Sequence, residues 1–416
     1  MQIAFAERGV RLILRTGKPE AVLLELADQV EADALVWNRV YSPQGIEQGT
    51  ALKEACANNL ETRSFNGQLL IEPTEVLTKQ STPFKVFTPF WRHCVANLQP
   101  KEVLDIPKFT PTSHSIESEN LDAWGLLPTA PDWSIGIAER WQPGEDGAQK
   151  RLAVFLDSVI SNYADGRDVP GEENTSMLSP HLAFGEISSK QIWFDTHEAM
   201  ASRQVSSDNG NKFLSEIGWR EFSRYLLVHF PHITQEPFNI KFENFPWQSD
   251  SALLAAWQKG QTGYPIVDAG MRELWATGYM HNRVRMIAAS FLCKHCLTHW
   301  HEGMDWFWDT LVDADVANNT ASWQWVAGSG ADASPYFRIF NPIIQGEKFD
   351  KHGDYIKRWV PELAHLGSKY LNKPWEADAE TLNSAGITLG ENYPMPIVEH
   401  KQARQLALDA YASIKR

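Results

Sequence analysis

The chain has 416 residues, enough to bury two separate cores. Its formal net charge of −14 excludes a nucleic-acid binder that works through overall basicity, so any such site must be a local basic patch. Four cysteines in a chain of this length exclude a disulfide framework.

Residues 10–71 alternate in type. VRLILR (10–15) reads as a short apolar strand, and Glu20 to Val30 carries Val22, Leu23, Leu26 and Val30 at helical spacing. ADALVWN reads as a second strand, 46–59 as a second helix and TRSFNGQLLI as a third strand. Strand–helix alternation predicts a parallel α/β sheet, here a partial doubly wound one. A sheet of two or three strands is thin for independent stability.

Residues 73–145 are broken up by Pro100, Pro107, Pro111, Pro128, Pro131 and Pro143, as expected of an irregular connector. From Gln149 the pattern is helical throughout, in AQKRLAVFLDSVISNY, NKFLSEIGWREFSRYLLVHF (211–230), YPIVDAGMRELWATG and HNRVRMIAASFLCKHCLTHW (281–300). Gly278 is placed to end the third of these as a C-cap. A final amphipathic helix covers 399–415. The expected organisation is an α/β domain over 1–98, a connector over 99–145 and a larger all-α domain over 146–416. Cys293 and Cys296 lie three apart on an apolar helical run without a second such pair, which suits core thiols rather than metal ligands. No run is apolar enough to span a membrane and no secretory signal opens the chain, so a soluble cytoplasmic protein is expected.

Four constellations could carry chemistry. Asn174 to Pro180 offers hydroxyls and backbone N–H groups near helix starts, which suit phosphate oxygens; taken alone, a simple N-cap before the helix at Ser188 explains it better. Glu216, Trp219 and Arg220 fall on adjacent turns of one helix and could hold a flat heterocycle beside an anion. Arg283 and Arg285, two apart, point to different sides of theirs; a buried arginine wants a carboxylate, and Asp313 and Asp315 are candidates. The chain also carries 17 tryptophans, rings that stack on flat ligands, though nothing in the spacing of Trp247, Trp300 and Trp323 says that they touch.

Together, FKVFTPFW (84–91), TSMLS (175–179), EIGWREF (216–222), GQTGYPIVDAGMREL (260–274), MHNRVRM (280–286), DADVANNTASWQW (313–325) and NPIIQGEKFD (341–350) resemble the photolyase/cryptochrome family, specifically microbial cyclobutane pyrimidine dimer photolyases. The resemblance covers roughly residues 10–375. It implies an α/β antenna domain joined to a helical domain that holds FAD, active in its reduced form, and a monomer acting on ultraviolet-damaged DNA. It implies that Tyr163, Thr175, Ser176, Met177, Leu178 and Ser179 hold the phosphate and ribitol region. Arg285, Asp313, Ala314 and Asp315 would surround the flavin ring, with Asn319 facing its N5; plant-type cryptochromes typically carry Asp there. Trp323, Trp300 and Trp247 would carry electrons inward during photoreduction.

For repair, the resemblance implies a dimer flipped from the duplex into a pocket walled by Trp219 and Trp325. Glu216, carrying a proton, and Asn282 would bond the pyrimidine edges, and Met286 would pack below. Arg220, Arg283 and Gln345 would touch DNA phosphates or the lesion. Two departures stand out. Members of the family begin with about seventy further residues that include the central strand. The WNRVYSPQGIE segment has Ser42 where an acid is common and Gly45 where folate binders carry Glu, so no folate antenna is expected.

Overall fold

The computed structural model describes all residues except 58–59, 99–102, 105, 111–113, 334–336 and 416. Pro100, Pro111 and the expected end of the second helix lie outside the described residues. The chain opens with helix α1 (Gln2–Ala6) and then runs as an irregular strap. Residues 10–15, expected as a strand, pair with no strand. Leu14 N donates to Ser118 Oγ (2.9 Å) and Thr16 N to Glu119 Oε1 (2.7 Å), while Leu14 O accepts from Glu119 N (2.9 Å). The connector therefore takes the hydrogen bonds that a sheet neighbour would have taken.

Helix α2 (Pro19–Gln29) starts on a proline, whose missing N–H costs nothing at that position. Strands β1 (Ala34–Asn38) and β2 (Glu61–Phe65) pair in parallel, from Ala34 opposite Glu61 to Asn38 opposite Phe65. Helix α3 (Pro43–Cys56) connects them, with the Ser42 hydroxyl accepting from Gly45 N (3.1 Å). The third expected strand stops at Phe65, because Asn66 Oδ1 accepts from Leu69 N (2.9 Å) in a turn that redirects the chain. Leu70 N and Ile71 N then donate to Glu221 Oε2 (2.9 and 3.4 Å), 151 and 150 residues away.

Helix α4 (Phe87–Asn97) packs Phe87, Phe90 and Cys94 against Phe222, Tyr225 and Leu226. After the connector, α5 (Ile135–Arg140) and α6 (Glu145–Asp157) lead to the one-turn α7 (Tyr163–Gly166) and the short α8 (Ser179–Ala183). Helix α9 (Ser189–Ala201) starts at the expected Ser188 cap, whose hydroxyl accepts from Gln191 N (3.1 Å).

Helix α10 (Ser207–His229) is the axis of the large domain. Its 23 residues span about 34 Å. One face joins Phe155, Tyr163 and Leu178 in a core through Phe213 and Ile217; the other joins α4 through Phe222 and Tyr225.

Beyond it, α11 (Ser251–Gln258) precedes α12 (Pro265–Thr277), which ends as expected at Gly278 in the left-handed region (φ 68°). The expected single helix over 281–300 is two pieces. Helix α13 (Asn282–Ser290) runs into a widened π turn at Phe291–His295. The buried Lys294 uses that turn to donate to Ala327 O (2.8 Å), and Leu297 at φ 52° ends the run.

Helix α14 (Trp300–Thr310), α15 (Val316–Ala327), α16 (Pro342–Phe349) and α17 (Asp354–Trp359) follow; α12 and α13 pack with α15 and α17 into the largest core, around Trp257, Phe291, Trp300, Trp323 and Tyr355. Helices α18 (Ser368–Leu371), α19 (Ala379–Ser384) and α20 (His400–Ser413) close the domain. Among the described residues no strand follows residue 150, as expected, and only two isolated bridges occur there. No described helix is long and apolar enough to cross a membrane.

Candidate functional site

The turn between α14 and α15 concentrates the acids. Asp315 caps α15, its Oδ1 accepting from Asn318 N (2.8 Å), while Oδ2 accepts from Arg224 Nη2 (2.6 Å) on α10. Asp313 takes both ends of the Arg285 guanidinium, Nη1 to Oδ1 at 3.0 Å and Nη2 to Oδ2 at 2.8 Å. The third donor, Arg285 Nε, goes to Met280 O (2.6 Å). Burial works against the Arg285 charge, but Asp313 outweighs it and raises its affinity for its proton. Ala314, between the two acids, packs against the large core. Asn319 Nδ2 donates to Met304 O (2.8 Å), which leaves Oδ1 as an acceptor.

The Thr175 run reaches the same place through Tyr279. The Thr175 hydroxyl acts on the Tyr279 phenol, lowering its proton affinity, and the Arg285 guanidinium lies over the Tyr279 ring at 5.1 Å. Burial pushes the Tyr279 phenol up to about 12. Met177 and Leu178 are buried, and Met177 holds a left-handed φ of 54°. Ser176 Oγ accepts from Leu178 N (3.4 Å), and Ser179 opens α8 with its side chain exposed. Tyr163 is buried edge-on between Phe155 (5.5 Å) and Phe213 (5.6 Å).

A second group lies on α10, α13, α15 and α16. Trp219 stacks on Phe87 with centroids 3.8 Å apart and planes 11° apart. Trp325 Nε1 donates to Asp332 O (3.1 Å). Glu216 pairs with Arg167, and the next residue, Asp168, accepts from Arg283 Nη2 (2.7 Å). The Arg283 guanidinium lies 4.5 Å from the Phe349 ring centroid and its Nη1 lies 3.8 Å from Met286 Sδ. Gln345, half-buried, is one turn before Phe349 on α16, and Asn282 is exposed at the start of α13.

The tryptophans are also brought together. Trp323 is buried edge-on to Phe307 (5.0 Å) and Trp257 (6.1 Å). It lies so close to α14 that a Cβ at Gly303 would collide with its ring. Trp300 is on the same helix, three residues earlier. The His299 ring is 5.6 Å from Trp300 and 5.2 Å from Trp247, so it stands between them.

Residues 213–413 match the family described as the FAD binding domain of DNA photolyase, and residues 1–111 match the family described as DNA photolyase. The chain is 51% identical to the deoxyribodipyrimidine photo-lyase of Agrobacterium fabrum, over 98% of its own length and 85% of that protein's. It belongs to the photolyase/cryptochrome family. A solved bacterial class III photolyase from Agrobacterium tumefaciens superposes with a TM-score of 0.97 at 50% identity, over all of this chain and 86% of that one. Cryptochrome-1 of Arabidopsis thaliana is 35% identical over 92% of this chain and 57% of its own length.

The residues present fit the FAD that this family domain binds. Arg224, whose Nη2 is held by Asp315, has its Nη1 buried without a hydrogen-bond partner. Leaving a buried donor unmet is costly, so such positions suit a ligand rich in acceptor oxygens. Asp313, Asp315, Asn319 and Arg285 converge beside it from α13, α15 and the turn that precedes α15.

One expected contact is corrected. Arg220 is 8% exposed and turned inward, donating from Nη1 to Ser189 Oγ (2.8 Å), Gln68 O (3.1 Å) and Glu221 Oε1 (3.1 Å). It serves the seam with the N-terminal layer and is not available to DNA. The expected contact failed because the long Arg220 stem swings to its own neighbour, Glu221. Glu216, expected to carry a proton, is paired with the Arg167 cation.

Sequence reasoning missed Arg167, Asp168, Arg224, Tyr279 and Asp332. The adjacent opposite charges at 167 and 168, shortly after Tyr163, were the available signal for the first two. At the antenna segment, a Cβ at Gly45 would collide with Val40, so a larger residue at 45 needs a different backbone path. Cys293 and Cys296 are buried free thiols, and no described group of three or more His, Cys, Asp or Glu gathers as a metal site would.

Proposed function

We propose that this chain repairs cyclobutane pyrimidine dimers in ultraviolet-damaged DNA under blue light, as a carbon–carbon lyase. When bound, reduced FAD supplies on excitation the electron that opens the cyclobutane ring and receives it back, so no net redox change results. The protein's part is to hold, orient and exclude water. Asp313 and Arg285 form a neutral, fully hydrogen-bonded pair beside the ring site. Asn319, with Nδ2 held by Met304 O, offers Oδ1 to a protonated ring nitrogen.

The dimer leaves the duplex before reaction, since the stacked helix hides its atoms. Trp219 and Trp325 give it apolar walls. Asn282 offers an amide to a pyrimidine edge, and Glu216 takes part after sharing or releasing Arg167. Arg283 and Gln345 lie where backbone phosphates would pass, and Trp323, Trp300 and Trp247 carry electrons inward when FAD arrives oxidised.

The observation that carries this reading is the pair of tryptophans, one laid flat on Phe87 and the other tied to Asp332, which also holds Phe87 N. Likeness to Arabidopsis cryptochrome-1 supports a second reading, a photosensor with the same cofactor and no repair. One assay separates the two: reduce the flavin-loaded protein chemically, add ultraviolet-damaged DNA, and follow dimer loss under blue light. Dimer loss that needs light supports repair; bound flavin without dimer loss sinks it.

A further inference from the structure

We propose that Asp332 is a positioning residue that fixes the spacing of the two aromatic walls. The inference rests on reading Trp219 and Trp325 as those walls. Asp332 lies past the end of α15, which carries Trp325. Its backbone carbonyl accepts from Trp325 Nε1 (3.1 Å), and its carboxylate Oδ2 accepts from Phe87 N (3.1 Å). Phe87 is the first residue of α4, and its ring is the platform on which Trp219 lies at 3.8 Å. A single residue thus grips both walls, one through its main chain and one through its side chain.

Three features make this more than a loop contact. Helix α4 has Val86 as its N-cap residue, which has no side-chain acceptor to offer. The first N–H groups of a helix need partners and favour negative charge, so Asp332 caps α4 from 245 residues away. Second, Asp332 holds a left-handed φ of 55°, a conformation that Asp and Asn tolerate better than other side chains. Third, Ala331 packs in the same cluster as Phe87 and Trp219, so the turn is seated on the wall it orients. A cyclobutane dimer is bent and thicker than a single base. A fixed wall spacing therefore separates it from ordinary pyrimidines by shape.

Three substitutions separate the backbone from the carboxylate. Asp332→Asn keeps both the φ preference and an acceptor, Asp332→Gly keeps only the backbone, and Asp332→Ala keeps neither. The measurements are affinity for a dimer-containing oligonucleotide against the same sequence undamaged, and the rate of flavin photoreduction, which does not depend on the walls. Asp332→Asn should discriminate within about twofold of wild type. Asp332→Gly and Asp332→Ala should each lose about tenfold in discrimination, the scale of one hydrogen bond, with flavin content and photoreduction unchanged. Wild-type discrimination by Asp332→Gly would overturn the proposal. So would a parallel fall in flavin content and photoreduction, which marks a merely structural residue. If the wild type itself binds flavin yet treats damaged and undamaged DNA alike, the reading of the walls fails first.

Discussion

Replacing Asp313 with alanine isolates the Arg285 cation. The carboxylate side chain is 4% exposed and its partner's 24%, so little water can replace the lost charge. Removing one member of a buried pair costs about 3–5 kcal/mol, because the survivor stays buried and unpaired. The partial exposure of Arg285 places the value near the low end, at about 3 kcal/mol. An unfolding entropy of about 2.1 cal/mol/K per residue gives roughly 0.9 kcal/mol/K for 416 residues. The melting temperature should therefore fall by about 3–4 °C. Circular dichroism melts of the flavin-free protein read this directly, and absorbance after gel filtration reads flavin content, which should fall sharply. The double variant Asp313→Leu with Arg285→Met should regain most of the stability, since it leaves no unpaired charge, yet remain without flavin. An Asp313→Ala protein that melts within 1 °C of wild type and retains its flavin would refute the reasoning.

The remaining predictions use other parts of the molecule. Gly303→Ala should push Trp323 from its seat at a cost of about 1–3 kcal/mol; photoreduction, followed by absorbance, should slow while chemically reduced protein still repairs, and an unchanged photoreduction rate would show that Trp323 is not on the path. Burial lowers His281 to about 4. A folded value below the unfolded one means that stability is complete above about pH 6.5 and is lost as pH falls toward 4, by about 3 kcal/mol. Urea midpoints across that range should drop in wild type and less in His281→Asn, which can still cap α13; equal slopes would contradict this. DNA affinity should fall as salt rises despite the overall negative charge, and Arg283→Ala should flatten the log–log slope by roughly one phosphate contact, about 0.9.

Much of the helical domain could be read in advance because helix signals are local. The Ser188 cap, the Gly278 stop and the helical run over 211–230 each need only neighbours within a few turns. The pairing of Arg285 with an acid was legible as a need, since a buried guanidinium has few solutions. The failures share a cause. VRLILR has strand composition, but its hydrogen-bond partners are Ser118 and Glu119, about a hundred residues on. Arg220 and Arg224 are one turn apart on α10 and look alike in sequence. Glu221 and Ser189 hold the first, and Asp315, 91 residues distant, holds the second. The π turn at Phe291–His295 is set by where Lys294 finds a carbonyl, which no local pattern encodes.

The reach of these ion pairs also governs timing. Arg224 meets Asp315 across 91 residues and Arg283 meets Asp168 across 115. Closing such loops is entropically expensive and comes after local helices have formed. A growing chain therefore carries its arginines and aspartates hydrated and apart until α15 has docked on α10. The Arg224–Asp315 pair exists only from that moment, so a half-folded intermediate lacks the assembled charge cluster. The order in which distant charges can meet thus sets when that cluster is complete.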